Sequence, residues 1–375
     1  MCPSLAIKPK KQETTGEEDS QFQLDQGVKL LFERGVNKVP TRYILPVEER
    51  PETASPVGSF GVKRNLIKLP IIDLAELLGP NRGNALESLA HACEHYGFFQ
   101  LVNHGIPREV VEGMVDVSTR FFDLSYEERS NYMSSDLKAP VRYGTSFNQN
   151  KDKVFSWRDF LKLMCHPLDD ATQHWPSTPV DFRKLVGTYA SETKNLFLTI
   201  MEAILESLSS TRTSEEDEIM KEFGDGSHLM VVNCYPPCPE PDLTLGMPPH
   251  SDYGFLTLLL QDEVKGLQIQ HGGDWVTVEP IPNSFVVNLG DHLEMFSNGK
   301  YKSVLHRVTV NAAKPRISVA SLHSLSFTQT VRPWPRLVDE ANPKRYEDTN
   351  FADFLDYISN CEPKKKDFLE SRKSL

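Results

Sequence analysis

The sequence predicts a mixed α/β protein in which a helix-rich first half precedes a β-rich second half. In the first half, apolar residues recur at helical spacing in three segments between about residues 85 and 208. After about Ser227, short β-rich runs alternate with turn residues. Strands at this spacing are typical of a sandwich or barrel such as a jelly roll, and they do not fit alternating βαβ units.

The helix-rich half begins with a polar stretch. Residues 1–21 are polar and carry Gly, Pro and Lys, so a flexible tail is expected. Apolar residues in Phe22–Glu33 partly fit a helical face, and the three prolines of Pro46–Asn65 indicate an extended linker. Further along, the pattern predicts strands over Leu69–Leu74 and Phe98–Val102 and helices over 85–96, Arg108–Phe122 and Val180–Leu208.

The β-rich half contains seven runs that fit strands. They are rich in apolar and β-branched residues, and they are separated by turn residues such as Gly, Pro, Asn and Asp. The predicted strands are Leu229–Cys234, Leu256–Gln261, Leu267–Gln270, Trp275–Val278, Ser284–Leu289, Ser303–Val310 and Arg316–His323.

Charge and hydropathy argue against several classes of function. The 41 Lys and Arg residues against 52 Asp and Glu residues leave a net charge of −11, which repels nucleic-acid backbones and anionic membrane surfaces. The start lacks the apolar core of a secretory signal, and no run of about 18 apolar residues follows. The six scattered cysteines form no C-x-x-C pair. We therefore expect a cytoplasmic protein with reduced thiols and no nucleic-acid or membrane partner.

Candidate metal ligands stand in the β-rich half. His250 and Asp252 are two residues apart at a strand end, where their side chains share a face, and His306 lies inside a later strand pattern. Two imidazoles and one carboxylate leave three positions of an octahedron open, which is the arrangement of non-haem Fe(II) oxygenases. Taken singly, the same residues also fit a loop turn with an exposed imidazole and a hydrogen-bonded core histidine. The H-x-D pair alone is therefore a weak signal.

A candidate carboxylate site begins ten residues beyond His306. Arg316 and Ser318 share one face of the next predicted strand. A permanent cation with a fork of donors, beside a hydroxyl, is suited to bind a carboxylate at two points. On the first strand of this half, Asn233 and Tyr235 repeat the same spacing and offer an amide and a phenol to the same cavity.

In chain order these residues form the set N-x-Y, H-x-D, H and R-x-S. The set resembles the 2-oxoglutarate/Fe(II)-dependent dioxygenase superfamily, in its plant specialised-metabolism branch of flavanone 3-hydroxylase-like and anthocyanidin synthase-like enzymes. The resemblance covers most of the chain from Phe22 to about Leu355. It extends over Leu69–Leu74, Ala92–Pro107, Val232–Gln261, Gly266–Gln270, Val286–Val308 and Lys314–Ser318.

The resemblance implies a fold and a division of the chain. The implied core is a distorted double-stranded β-helix, or jelly roll, with a helix-rich N-terminal part packed around it. The regions are a tail at 1–21, a helix-rich region at 22–225, the core at 226–330 and a C-terminal extension at 331–375. This extension would carry a lid helix at about Phe351–Ser359.

The resemblance also implies ligands and a reaction. Fe(II) would be held by His250, Asp252 and His306, the distal carboxylate of 2-oxoglutarate by Arg316, Ser318 and Tyr235, and Asn233 would lie beside the keto-acid end. The implied reaction uses O2 to oxidise, most readily to hydroxylate, a small hydrophobic metabolite while 2-oxoglutarate is decarboxylated to succinate and CO2. Ascorbate would support turnover. No protein acid or base is required.

Substrate contacts and the outcome of the reaction are left open. By position in the resemblance, the pocket would be lined by Tyr143, Phe147, Val231, Leu322, His323 and Phe327. Such a lining suits a flat phenolic, flavonoid-like, terpenoid or alkaloid molecule, and a monomeric enzyme is expected. The alternatives are demethylation, desaturation or ring closure, an oxidase of the same fold that does not use 2-oxoglutarate, and a non-catalytic relic that binds a ligand.

Overall fold

Both halves of the chain contribute strands to one large sheet. The computed structural model describes residues 27–51, 68–146, 152–209, 213–360 and 366–374. The predicted tail at 1–21, most of the predicted linker Pro46–Asn65 and the substrate candidate Phe147 lie outside the described residues. In the part of the chain that the structure describes, no helix combines the length and apolar character needed to cross a membrane.

The helices lie mainly in the first half. The longest of them, α7 (Phe182–Leu208), buries an apolar stripe that includes Phe197, Ile200 and Ile204, spaced as one helical face requires. The helices are α1 (Val28–Glu33), α2 (Leu74–Leu77), α3 (Arg82–His95), α4 (Arg108–Phe122), α5 (Tyr126–Ser130), α6 (Leu168–Thr172), α7 (Phe182–Leu208), α8 (Ser214–Gly224), α9 (Asp291–Phe296), α10 (Phe351–Asn360) and α11 (Asp367–Ser371).

The strands form an eight-stranded and a four-stranded sheet. The strands are β1 (Ile71–Asp73), β2 (Phe98–Val102), β3 (Val141–Thr145), β4 (Asp159–Met164), β5 (His228–Tyr235), β6 (Met247–His250), β7 (Leu256–Gln261), β8 (Leu267–His271), β9 (Asp274–Thr277), β10 (Phe285–Leu289), β11 (His306–Val308) and β12 (Arg316–His323). The larger sheet has the order β1-β2-β10-β7-β12-β5-β4-β3, and the smaller has the order β6-β11-β8-β9.

Strand alternation separates the helical core from the face that carries the polar residues. On β12, Ile317 and Val319 join the core packed against the helices, whereas Arg316 and Ser318 point to the opposite side. The same period applies to the neighbouring strand β5, so its pairing with β12 places a second row of side chains on each face. The core thus fixes which residues face the cavity.

Several predicted elements have the bounds that the sequence indicates: Phe98–Val102, Arg108–Phe122, Leu256–Gln261 and Arg316–His323. The strands β3 and β4 were not predicted, because each alternates core residues with a cation, Arg142 or Lys162, and neither is the mainly apolar run that marks the predicted strands. These two strands continue the large sheet beyond β5. The mixed α/β class is confirmed, and the division of the chain at residues 226 and 330 stays a prediction.

Candidate metal centre and co-substrate site

His250, Asp252 and His306 converge where two strands of the smaller sheet meet. His250 ends β6 and lies opposite His306, which begins β11, while Asp252 follows two residues after His250. Asp252 Oδ1 lies 3.7 Å from His250 Nε2 and 3.6 Å from His306 Nε2. One ligand atom from each residue lies within 4.8 Å of the other two. The strand-end geometry expected for H-x-D is therefore present.

The hydrogen bonds of the two imidazole rings leave their Nε2 atoms available to bind a metal. His250 Nδ1 lies 2.8 Å from the Pro248 carbonyl oxygen, and His306 Nδ1 lies 3.3 Å from that of Val304. A ring that donates from Nδ1 presents the lone pair of Nε2, which is the usual form of a metal-binding histidine. The residues thus fit a divalent metal with open coordination positions.

The carboxylate of Asp252 is oriented by two further residues. Its Oδ2 accepts hydrogen bonds from Thr257 Oγ1 at 2.5 Å and Asn288 Nδ2 at 2.8 Å. Oδ1 is left to face both imidazoles. Thr257 and Asn288 were missed by sequence reasoning. Each is an isolated polar residue in an apolar strand, and that is the sequence signal that could have found them. In the structure they are direct partners across β7 and β10.

Protonation at the triad also suits metal binding. Burial lowers the pKa of His250, and the neighbouring His306 acts in the same direction. Burial alone would raise the pKa of Asp252, but the two imidazoles, Thr257 and Asn288 lower it overall. A neutral imidazole and an ionised carboxylate are the forms that coordinate a divalent cation.

Arg316 lies buried beside the triad with its donors held in a fixed direction. Its Nε donates to the Val264 carbonyl at 3.1 Å, its Nη1 to Ser318 Oγ at 3.2 Å and its Nη2 to Gln261 Oε1 at 3.0 Å. The guanidinium also lies over the Tyr235 ring, 5.1 Å from the centroid. It forms no ion pair within the described part of the chain. A buried cation of this kind fits an anionic ligand such as a carboxylate.

Asn233 of β5 pairs with Ser318 of β12, so both side chains lie on the same face of the large sheet. The Asn233 Oδ1 accepts a hydrogen bond from Arg158 Nη1 at 2.8 Å, so the amide of Asn233 is held in one orientation. Arg158 is buried and was not among the residues that the sequence indicated. Its position on the segment that leads into β4 gave no signal for this contact.

One cavity of about 800 Å³ joins the triad, Arg316 and an apolar wall. Of the predicted substrate residues, Val231, Leu322 and Phe327 line this cavity. Its other apolar and aromatic lining residues include Phe160, Leu229, Tyr253, Leu259, Phe351 and Phe354. A metal site and a buried cation therefore open onto a space of small-molecule size.

Tyr143 and His323 do not line this cavity, which corrects their assignment as pocket residues. Tyr143 donates from its hydroxyl to Asp159 Oδ2 at 2.9 Å. His323 stacks on Phe197 of α7 with ring centroids 4.5 Å apart. Each lies next in sequence to a lining residue, Arg142 and Leu322 respectively, so strand alternation turns each to the helical face.

Comparisons with known proteins agree with this geometry. The family model of the 2OG-Fe(II) oxygenase superfamily matches residues 226–324, and that of the non-haem dioxygenase in morphine synthesis N-terminal region matches residues 69–180. Protein DMR6-LIKE OXYGENASE 2 of Arabidopsis thaliana is 42% identical over 323 residues, which cover 86% of this chain and 90% of that protein. The chain belongs to the 2OG-Fe(II) oxygenase superfamily.

Two further proteins are similar to this oxygenase over most of its length. Flavanone 3-dioxygenase 2 of Oryza sativa subsp. japonica is 38% identical, over 84% of this chain and 89% of that protein. The crystal structure of JOX2 in complex with 2OG, Fe and JA is similar, with a TM-score of 0.81 and 32% identity over 93% of this chain and 98% of that chain. The predicted jelly-roll core, the family and its cofactors Fe(II), 2-oxoglutarate and O2 are confirmed. The protein is an oxidoreductase of this superfamily.

Proposed function

We propose that this oxygenase hydroxylates a small, mainly apolar specialised metabolite in the 800 Å³ cavity. The observation that carries the proposal is that the triad and the buried Arg316 open onto the same apolar space. We assign Fe(II) to His250, Asp252 and His306, the distal carboxylate of 2-oxoglutarate to Arg316, Ser318 and Tyr235, and the keto-acid end to the side of Asn233.

The protein's part in this reaction is to bind and orient. When bound, Fe(II), 2-oxoglutarate and O2 supply the oxidation, in which one oxygen atom enters a substrate C–H bond and the other enters succinate as CO2 is lost. The carbonyl contacts of Pro248 and Val304 hold the imidazole rings of the metal ligands. Arg316 and Ser318 hold the co-substrate at its far end, which positions its keto acid at the metal. No side chain has to transfer a proton.

The apolar wall supports an aromatic or aliphatic substrate. Val231 and Leu322 supply aliphatic surface, and Phe327 stacks on Phe351 of α10 with ring centroids 4.1 Å apart. The predicted lid helix Phe351–Ser359 corresponds to α10, and Phe351 and Phe354 both line the cavity. An aromatic cover over an apolar wall excludes water from the reacting carbon.

Product analysis tests this proposal. The enzyme is incubated in air with Fe(II), 2-oxoglutarate and ascorbate against a panel of phenolic, flavonoid, terpenoid and alkaloid compounds. The expected product has gained one oxygen atom, with one succinate formed for each product molecule. A product that has lost a methyl group would show demethylation in place of hydroxylation, and a product that has lost two hydrogen atoms would show desaturation. Product formed without succinate would contradict the use of 2-oxoglutarate.

The same proposal includes a monomeric enzyme that acts in the cytoplasm on a small molecule, without a nucleic-acid or membrane partner. The net charge of −11 supports the last point, because it disfavours anionic polymers and anionic lipid surfaces. Sedimentation analysis at several concentrations tests the monomeric state, and fractionation of source cells tests the cytoplasmic location. A concentration-independent dimer or a membrane-bound fraction would contradict them.

A further inference from the structure

The wall of the cavity formed by β3 and β4 carries positive charge. Arg142 of β3 and Lys162 of β4 pair directly across the two strands, and both line the cavity. Their chain neighbours Tyr143 and Leu161 belong to the helical core instead, as alternation requires. Two cations therefore stand side by side at one edge of the cavity.

Within the protein, this pairing is electrostatically unfavourable. Like charges directly opposite each other on adjacent strands repel. Burial and the charge of Arg142 lower the pKa of Lys162 to about 8, while Asp136 acts in the opposite direction. Burial, followed by the charge of Arg158, lowers the pKa of Arg142, while Asp152 acts in the opposite direction. An anion that contacts both cations would relieve this repulsion.

Lys162 has donors available for such an anion. Its Nζ donates one hydrogen bond, to the Leu137 carbonyl at 2.7 Å, and an ammonium group has three N–H donors. In the described part of the chain, Lys162 takes part in no ion pair. Arg142 is held through its Nε, which donates to the Ser134 carbonyl at 2.8 Å. The two cations are thus fixed in place by backbone carbonyls.

A continuous apolar row leads from these cations across the sheet. Lys162 pairs with Val231 of β5, Val231 with Ala320 of β12, and Ala320 with Leu259 of β7. All of these residues line the cavity. At the spacing of adjacent strands, the backbones of Lys162 and Ala320 are about 10 Å apart. This row fits a molecule with an apolar body and one anionic end.

The co-substrate is assigned to a different row of the same sheet. Ser318 pairs with Asn233, and Asn233 pairs with Phe160, so the proposed 2-oxoglutarate site lies one row away from the pair of cations. We propose that Arg142 and Lys162 bind a carboxylate of the substrate, so that this oxygenase oxidises an apolar monocarboxylic acid. An arginine fork beside an ammonium group matches the two oxygens of a carboxylate. This inference rests on the proposed function and names its substrate class.

Anaerobic binding of matched acids and amides tests this inference. The full chain, loaded with Fe(II) and saturating 2-oxoglutarate under argon, is titrated in a calorimeter with phenylalkanoic acids from benzoate to phenylhexanoate and with their primary amides. At least one acid is expected to bind about tenfold or more tightly than its amide. The Lys162→Met and Arg142→Met variants are expected to lose most of this preference, and Lys162→Arg is expected to keep it.

Two controls make each outcome decisive. Lys184→Met removes an exposed cation from α7 and should keep the preference for acids. Retention in Lys162→Arg excludes misfolding as the cause of a loss at this position. If no acid binds wild type more tightly than its amide, or if the preference survives in both methionine variants, the inference is wrong. The visible absorption band of Fe(II) with 2-oxoglutarate, recorded on each sample, reports separately on the proposed function: its absence in wild type would overturn that function instead.

Discussion

At the scale of the residue, Asp252 uses its two carboxylate oxygens differently. Oδ1 faces the Nε2 atoms of His250 and His306. Oδ2 accepts hydrogen bonds from Thr257 and Asn288 and cannot turn away without losing both. Residues that orient a metal ligand in this way contribute to metal affinity although they do not touch the metal.

Removal of one orienting hydroxyl should weaken iron binding. Thr257→Val keeps the shape of the side chain but removes the hydrogen bond to Asp252 Oδ2. Fe(II) affinity, measured by anaerobic titration, is expected to fall about 10–100-fold. Thr188→Val, which changes an exposed threonine of α7, serves as the control and should bind Fe(II) as wild type does. Unchanged affinity in Thr257→Val would show that this hydroxyl does not orient the ligand.

Arg316 acts through the shape of its guanidinium as well as its charge. Arg316→Lys keeps a cation but removes the fork that donates to Ser318 and Gln261 and faces the cavity. The 2-oxoglutarate concentration for half-saturation is expected to rise about tenfold or more, with Fe(II) affinity unchanged. Arg108→Lys, at an exposed position of α4, is the matched control. An unchanged requirement for 2-oxoglutarate would place the carboxylate site elsewhere.

At the scale of the element, Asp159 of β4 attaches helix α1 to the large sheet. Its carboxylate accepts from the backbone N–H groups of Val28 at 2.7 Å and Lys29 at 3.0 Å. Gly27 precedes them with φ of 97°, and a Cβ at Gly27 would lie 2.8 Å from both Asp159 carboxylate oxygens. The sheet and the helix can therefore approach this closely only at a glycine.

Gly27→Ala should consequently destabilise the protein. Gly35→Ala is a matched control, because Gly35 also has a positive φ, of 75°, but a Cβ there meets nothing within 4 Å. Backbone strain at a positive φ costs each variant about 1–3 kcal/mol, and the ψ of 165° puts Gly27 in a region that essentially only glycine adopts. The clash with Asp159 should cost Gly27→Ala a further 1–3 kcal/mol or so, measured by urea unfolding. Equal losses in the two variants would contradict the close contact between α1 and β4.

A pair of buried histidines links β5 and β12 to helix α7. His228 and His323 stack with ring centroids 4.1 Å apart, and His323 also stacks on Phe197. Burial lowers the pKa of His228 to about 3 and that of His323 well below its ordinary value. The unfolded chain, with a histidine pKa of about 6.5, binds more protons below that pH. Stability therefore falls as the pH falls from about 6.5 towards 3.

His323→Phe should reduce this sensitivity to acid, because phenylalanine can keep the stack on Phe197 and does not titrate. The drop in Tm between about pH 7.5 and about pH 5 is expected to be smaller than in wild type. His91→Phe, at an exposed histidine of α3, should leave the drop unchanged. The same drop in His323→Phe as in wild type would show that this histidine is not a source of the acid sensitivity.

Sequence patterns predicted elements best where one face is uniformly apolar. Arg108–Phe122 has a strong helical stripe, and Leu256–Gln261 is an almost unbroken apolar run, so their bounds follow from the pattern. Strands β3 and β4 instead alternate core residues with cations, Arg142 and Lys162, on the face that lines the cavity, so neither is a continuous apolar run. This alternation is the signal that could have found them, and the pairing of β4 with β5 places both strands in the sheet.

At the scale of the whole molecule, the cavity depends on both halves of the chain. The first half supplies Arg142, Arg158 and Lys162 to its wall, and the second half supplies the triad and Arg316. The motif spacing predicts the triad and the R-x-S pair, because strand periodicity fixes which side chains share a face. It could not predict the cation pair or the exclusion of Tyr143, since these depend on the pairing of β3 with β4. The exclusion of His323 does follow from the sequence, because alternation along the predicted strand from Arg316 and Ser318 turns His323 to the opposite face.

The central claim is that the triad and Arg316 form one Fe(II) and 2-oxoglutarate site. Anaerobic addition of Fe(II) and 2-oxoglutarate to the purified protein, followed by visible absorption, tests it most directly, because a keto acid chelated to Fe(II) gives a weak charge-transfer band. We expect the band in wild type, its absence in His250→Ala, and a need for more 2-oxoglutarate in Arg316→Lys. A band of equal strength in His250→Ala, or no band in wild type that binds Fe(II), would contradict the account.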